Sequence, residues 1–206
     1  MKYDAVKELN QRKGCLEIRK IIENNLGSET AEQIWRKAIA KLNRIHQKYP
    51  DIPKGQKLHV STIFPTVSLY LTLKETASEQ AMQWMEEGAK INVLRQSGIF
   101  KTMVKLPFGK SFFLKGLASV GQKMFGESAG FENHPIQSTK DVCQFDILKC
   151  PYVKYCTELG CPELAHIFCD NDIYAYGNLD GIQFLRTQTI GTGGEKCDFL
   201  LKKGGK

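Results

Sequence analysis

Six of the seven cysteines of this 206-residue chain, Cys143, Cys150, Cys156, Cys161, Cys169 and Cys197, fall in its last third. Clustered thiols act as metal ligands, as nucleophiles or as small core residues, and in a reducing compartment they seldom form disulfides. The cluster contains no C-x-x-C, and the gaps of five, four and seven residues between Cys150, Cys156, Cys161 and Cys169 match no zinc-ribbon or ferredoxin spacing. The spacing gives no support to a structural metal, and no cofactor is expected. Cys169 and Asp172 stand three apart and are therefore neighbours on a helix, while Glu163, His166 and Asp170 follow another stripe. An acid beside an apolar face is costly unless paired, so Asp172 is either a salt-bridge or cap partner or a site carboxylate. A nearby carboxylate raises a thiol pKa, which by itself argues against Cys169 as a thiolate.

Other residues carry alternatives of the same kind. Cys197 and Asp198 are adjacent, and strand alternation sends them to opposite faces, so only one of them can face a pocket. Cys150 precedes Pro151 and is confined to extended backbone at a strand end. Arg186 lies among Ile182, Phe184, Gln188 and Ile190 and needs a carboxylate for its planar fork, either an internal acid or the acid group of a substrate. Thr187 and Thr189 project to the opposite face as strand formers. His166 is a candidate proton shuttle or a structural helix residue. Gly191 to Gly194 reads as a turn, with backbone N–H groups available to an anion.

These residues need elements to hold them. Val6, Leu9, Leu16, Ile18, Ile21 and Ile22 recur at helical intervals, Gly27 supplies a stop, and Ser28 supplies an N-cap for a second helix that Pro50 and Pro53 end. A further helix follows Ser78, with Gly98 closing it. Leu58 to Leu73 suits a strand by its β-branched residues and a buried helix by its length, with helix preferred. Phe108 to Phe125 reads as a short helix or a packed loop that covers a pocket. Val142 to Leu148 alternates as a strand, Pro162 opens a helix to about Tyr176, and Ile182–Ile190 with Cys197–Leu201 forms a hairpin. The expected fold is α+β in one domain over 1–206: a mainly helical part to 130, packed on a small antiparallel sheet with a C-terminal hairpin in 131–201. The Lys/Gly tail, Lys202 to Lys206, is expected to fray.

Composition narrows the classes. With 42% hydrophobic and 25% charged residues, the chain can bury a core. Its formal charge of +7 raises nucleic acid as a partner, yet residues 141–198 hold nine acids and four bases, a net of −5 against +12 elsewhere. Nucleic acid is therefore not expected. Leu58 to Leu73 is too short and too polar to span a bilayer, and Lys2, Asp4, Lys7 and Glu8 stand where a secretory signal needs an apolar run. The expectation is a cytoplasmic protein without a membrane span; the oligomeric state is not legible.

An ordered series closes the chain: Cys150-Pro151-Tyr152, Tyr155-Cys156, Leu159-Gly160-Cys161-Pro162-Glu163-Leu164, Phe168-Cys169-Asp170-Asn171-Asp172, Arg186-Thr187-Gln188-Thr189-Ile190-Gly191, Gly193-Gly194 and Cys197-Asp198-Phe199. It resembles the L-2-amino-thiazoline-4-carboxylic acid hydrolase family, with the motifs between about 141 and 199. Leu164-Ala165-His166 departs from a Cys two residues after Pro-Glu in some relatives. A fainter resemblance, to vinyl-reductase-type small-molecule-sensing domains, lies in the closing turn and its Cys-x-Phe strand, and implies a non-catalytic binding domain as the alternative. The main resemblance implies hydrolysis of a cyclic amidine-like C–N or C–S bond in a small carboxylate substrate. Such a reaction needs a carboxylate for the amidine, a nucleophile for its carbon and a cation for the acid group. The nucleophile is a Cys thiolate or an activated water. The candidate catalytic residues are Cys169, Asp172, Cys197, Cys150 and His166, and the candidate substrate-binding residues are Arg186, Asp198, Thr187, Thr189 and Glu163.

Overall fold

The computed structural model describes residues 4–204. Helices come first: α1 (Ala5–Gln11), α2 (Lys13–Leu26), α3 (Ser28–Lys48), α4 (Lys57–Thr76), α5 (Ala81–Gln96), α6 (Gly98–Lys105) and α7 (Gly109–Met124). The periodicity from Val6 to Ile22 runs through two helices, because Arg12 is extended at φ −80° and ψ 102°. No Pro stands at that break, and the nearest glycine, Gly14, lies inside α2. The Arg12 guanidinium donates to the Ser61 carbonyl and, at 2.8 Å, to its hydroxyl, tying the junction to α4. Gly27 rather than Ser28 caps α3, and Gly98 opens α6 as well as following α5.

α4 is the helix around which the others gather. Ile63, Phe64, Val67, Leu69 and Leu73 are fully buried on several sides, so the helix has no solvated stripe. Its hydroxyls are buried with them at little cost because they bond their own helix: Thr66 donates to the Thr62 carbonyl, Ser68 to Pro65 and Thr72 to Ser68, at 2.7 to 2.9 Å. No helix among the described residues is long and apolar enough to cross a membrane.

The second part holds β1 (Glu132–Ser138), β2 (Val142–Lys149), α8 (Pro151–Glu158), a 3-10 turn at Pro162–Leu164 leading into α9 (Ala165–Tyr176), β3 (Ile182–Leu185) and β4 (Cys197–Lys203). The strands form one antiparallel sheet in the order β1-β2-β4-β3. The fold is α+β. β1 and α8 have no counterpart in the sequence reading: β1 is a polar, exposed edge strand interrupted by Pro135, and α8 is a short helix opened by Pro151. The strand expected over Ile182–Ile190 stops at Leu185, where it pairs with Leu200. Beyond it the Asp198 carboxylate accepts the amides of Thr187 and Gln188 at 2.8 to 3.1 Å and takes them from any strand partner. The tight hairpin is thus a long loop, 186–196. Lys202 and Lys203 belong to β4 and are not frayed, while 205–206 lie outside the described residues.

The largest buried cluster lies among α1 to α5 and reaches Tyr155, Cys161 and Leu164; of two smaller ones, one lies between the sheet and α6, α7 and the end of α9, the other between the sheet and Phe125, Ala129, Phe131 and Tyr152. α5 reaches α2 at Gly88, where a Cβ would stand 2.3 Å from Ile18 Cγ1 and 3.0 Å from Ile18 N. Gly88→Ala is expected to destabilise the protein by about 1–3 kcal/mol, because two packed helices must separate. Urea unfolding measures this, and an unchanged midpoint would show that the crossing tolerates a methyl group.

Candidate active site

Alternation along β2 and β4 sets Phe145, Ile147, Cys197 and Phe199 on one face of the sheet, with Phe145 opposite Phe199 and Ile147 opposite Cys197. The two phenylalanine rings stack 4.7 Å apart and nearly parallel. α7 covers this face with Leu117 and Gly121, followed by Phe125, while α4 contributes Thr62, α8 Tyr152, and α9 Phe168, Cys169, Asn171, Asp172 and Tyr176. The cavity they enclose measures about 210 Å³. Cys150, extended at φ −132° where β2 ends, completes its wall. Cys150, Cys169, Asp172 and Cys197, far apart in sequence, therefore meet at one place.

The thiols there differ in character. Cys169 accepts hydrogen bonds from the Cys197 thiol, the Thr189 hydroxyl and the Gly191 amide, and with the Arg186 charge these hold its pKa down to about 6 against the effect of burial. Cys197 is pushed up because it donates to Cys169, although it also accepts from the Ile190 amide at 3.3 Å. Cys150 is pushed up to about 11 by burial. The donors around Cys169 outweigh the nearby carboxylate, so the sign expected from the Cys169–Asp172 spacing is reversed. Gly191 is required by contact: a Cβ would lie 2.7 Å from Cys169 Sγ, which would lift the loop and its amide from the sulfur.

Asp172 runs the other way. Burial pushes its carboxyl up to about 7, with the Cys169 charge adding to the rise and Arg186 opposing it. About 30% of its side-chain surface remains open, and Asp172 lines the cavity. Arg186 is only 6% exposed and donates to Asp172 Oδ2 at 2.9 Å and to the Cys169 carbonyl at 3.0 Å. Its guanidinium also lies 5.6 Å and 5.5 Å from the Phe184 and Phe199 ring centres. Of the two partners open to it, Arg186 meets the internal acid in this structure, and it is not among the residues that line the cavity. Asp172 is in consequence a structural partner as well as a cavity carboxyl.

The remaining candidates separate. His166 takes the Glu163 carbonyl at Nδ1 and Glu86 at Nε2, the latter 2.9 Å away, and does not line the cavity. Glu163 accepts from Tyr70 and Lys74 at 2.8 and 2.7 Å on that same outer side. Asp198 and Thr187 bond each other at 2.6 Å and hold the 186–196 loop. Thr189, 5% exposed, reaches the site only through its hydroxyl on Cys169. Proximity along the α9 stripe and within the motifs therefore does not carry His166, Glu163, Asp198 or Thr187 to the cavity.

The sequence reading missed His59, Tyr152 and Asn171. His59 is buried on α4 and kept neutral by desolvation. Its Nε2 donates to the Met124 carbonyl at 2.7 Å, so Nδ1 accepts from the Tyr152 hydroxyl at 3.0 Å and fixes that ring in the cavity wall. Asn171 Oδ1 is buried without a hydrogen-bond partner among the described residues. Tyr152 and Asn171 stood within the quoted motifs; His59, in an apolar helix far from them, gave no such signal. Among the described residues no three His, Cys, Asp or Glu side chains are grouped to hold a metal ion.

The profile of L-2-amino-thiazoline-4-carboxylic acid hydrolases matches residues 56–201, from the start of α4 into β4. The chain belongs to the L-2-amino-thiazoline-4-carboxylic acid hydrolase family. No curated protein and no solved structure matches it. Within this hydrolase-family chain the matched stretch carries every residue of the thiol cavity, while α1, α2 and α3 lie outside it.

Two outcomes test the geometry. Alkylation by iodoacetamide, followed by peptide mass spectrometry, is expected to modify Cys169 with a midpoint near pH 6, with Cys143 and Cys150, both raised to about 11, unreactive at that pH. Cys197→Ala should move that midpoint upward, and an unmoved midpoint would remove Cys197 as the donor. At about pH 8, above the raised Asp172 pKa of about 7, Arg186→Gln should cost about 3 kcal/mol in urea unfolding, since a buried carboxylate loses its cation; full stability there would mean that Asp172 takes up a proton or meets solvent without it.

Proposed function

We propose that the protein hydrolyses the C–N bond of an amidine-type substrate such as 2-amino-thiazoline-4-carboxylate, with Cys169 as nucleophile and Asp172 as proton donor. The observation that carries this reading is a donor-stabilised thiol beside a carboxyl of raised pKa in the same aromatic-walled cavity. The thiol shifted down and the carboxyl shifted up favour a thiolate and a carboxylic acid side by side near neutral pH. Nucleophile and acid are then present without a histidine.

The substrate enters as its amidinium, whose charge suits the aromatic faces and whose N–H groups suit Asn171 Oδ1. Cys169 Sγ attacks the amidine carbon and forms a C–S bond. Asp172 protonates the ring nitrogen, the C–N bond breaks, and that nitrogen leaves as an amine. The resulting adduct on Cys169 is cationic and faces the Asp172 carboxylate. Water adds to the same carbon as Asp172 takes its proton; the C–Sγ bond then breaks and returns the thiolate. The carbon keeps the oxygen as a carbonyl, and the proton released at that collapse goes to the departing amine. The donors from Cys197, Thr189 and Gly191 stabilise the thiolate at the start and again when it leaves.

With 2-amino-thiazoline-4-carboxylate, kcat/KM is expected to be bell-shaped, rising as Cys169 ionises near about pH 6 and falling as Asp172 loses its proton near about pH 7. Acid quenching during turnover should reveal the adduct mass on the Cys169 peptide. Cys169→Ser should lose at least about a thousandfold in rate. Full turnover by Cys169→Ser would assign the attack to water and sink the covalent route.

A further inference from the structure

The thiol cavity has a charge asymmetry that bears on what it accepts. Among the described residues Asp172 is its only carboxyl, the Cys169 thiolate adds a negative charge, and no lysine, arginine or histidine lines it. A substrate carboxylate left among Phe125, Phe131, Phe145 and Phe199 would be desolvated without a partner, and Arg186 is already held by Asp172. A second chamber, about 720 Å³, opens where α1 meets α2 and has the opposite sign: Arg12 and Lys13 line it together with Asn92 and Gln96, and among the described residues no aspartate or glutamate does. Thr62, Phe168 and Asn171 line both spaces, so the unpartnered Asn171 Oδ1 lies at the boundary between them.

We infer that Arg12 holds the anionic end of a zwitterionic substrate in this second chamber, while the amidinium end lies beside Cys169 and Asp172. The inference rests on the amidine-hydrolase reading and names the binding group that reading lacks. Arg12 is suited to the task. One end of its guanidinium is braced on the Ser61 carbonyl and hydroxyl, no acid pairs with it among the described residues, and the remaining N–H groups can meet a carboxylate as a planar fork. Its positive charge already acts on the Tyr152 hydroxyl in the thiol cavity. The helix break at Arg12, which no proline or glycine demands, sets an extended residue and its side chain at this wall. Because Arg12 precedes the family match at 56–201, recognition of the anion belongs to the N-terminal helices of this chain rather than to the matched motifs.

The test uses two ligands, 2-amino-thiazoline-4-carboxylate and 2-amino-thiazoline, which lacks the acid, against the full-length protein, Arg12→Gln and Arg12→Lys. Calorimetry gives affinity, and turnover is followed in parallel. Arg12→Gln should weaken binding of the acid by about tenfold to a hundredfold, Arg12→Lys should restore part of it, and 2-amino-thiazoline should bind all three proteins alike, which also shows that the site stays folded. Equal affinity of the acid for wild type and Arg12→Gln overturns the inference, as does equal weakening of both ligands. The outcomes separate the two ideas. Arg12-dependent binding without turnover leaves the anion site standing and removes the hydrolase reading, whereas turnover that ignores Arg12 does the reverse. If neither ligand binds, both fail.

Discussion

The contact between Arg186 and Asp172 is the constraint on which the site is built. A guanidinium with 6% exposure must have its charge answered, and it is answered by a carboxyl of α9 and by the carbonyl of Cys169 in the same helix. Those bonds fasten the start of the 186–196 loop against α9. The far side of that loop then delivers Thr189 and the Gly191 amide to Cys169 Sγ, while the Ile190 amide meets Cys197. The proton affinities of thiol and carboxyl follow from one arrangement: donors and a cation converge on the sulfur, and the carboxyl, sharing that cation, remains desolvated.

What could be read from the sequence was set by period and punctuation. The helices of the first half, the strand at Val142, the helix after Pro162 and the helical preference for Leu58 to Leu73 rest on apolar spacing, and each corresponds to an element, α4 among them. The meeting of Cys150, Cys169 and Cys197 was legible only through the motif series, since no local pattern states a distance between segments. Elements held by long-range bonds left no such trace. Arg12 breaks a periodic helix because Ser61 receives its side chain. Thr187 and Gln188 leave the sheet because Asp198 takes their amides. β1, a polar edge strand containing Pro135, has neither alternation of burial nor the usual strand residues. The sign of the Cys169 shift was misread for a related reason: the spacing reveals the carboxylate three residues away, while the donors that outweigh it come from another segment.

His166 and Glu163 show the limit from the other direction. Glu163 stands inside the quoted motifs and His166 between two of them, on or beside α9, yet a helix turns its residues to every side, and these two face Glu86, Tyr70 and Lys74. They join α9 and the turn before it to α4 and α5, and so hold the helix that carries Cys169 and Asp172.

α4 begins at the edge of the family match but is buried on several sides, and α1, α2 and α3 supply part of that cover. Residues 56–201 thus share their main core with segments that precede the match. A shortened chain cut at that boundary would carry Ile63, Phe64 and Leu69 on a bare helix with no charged face to keep it dispersed, and self-association would compete with folding.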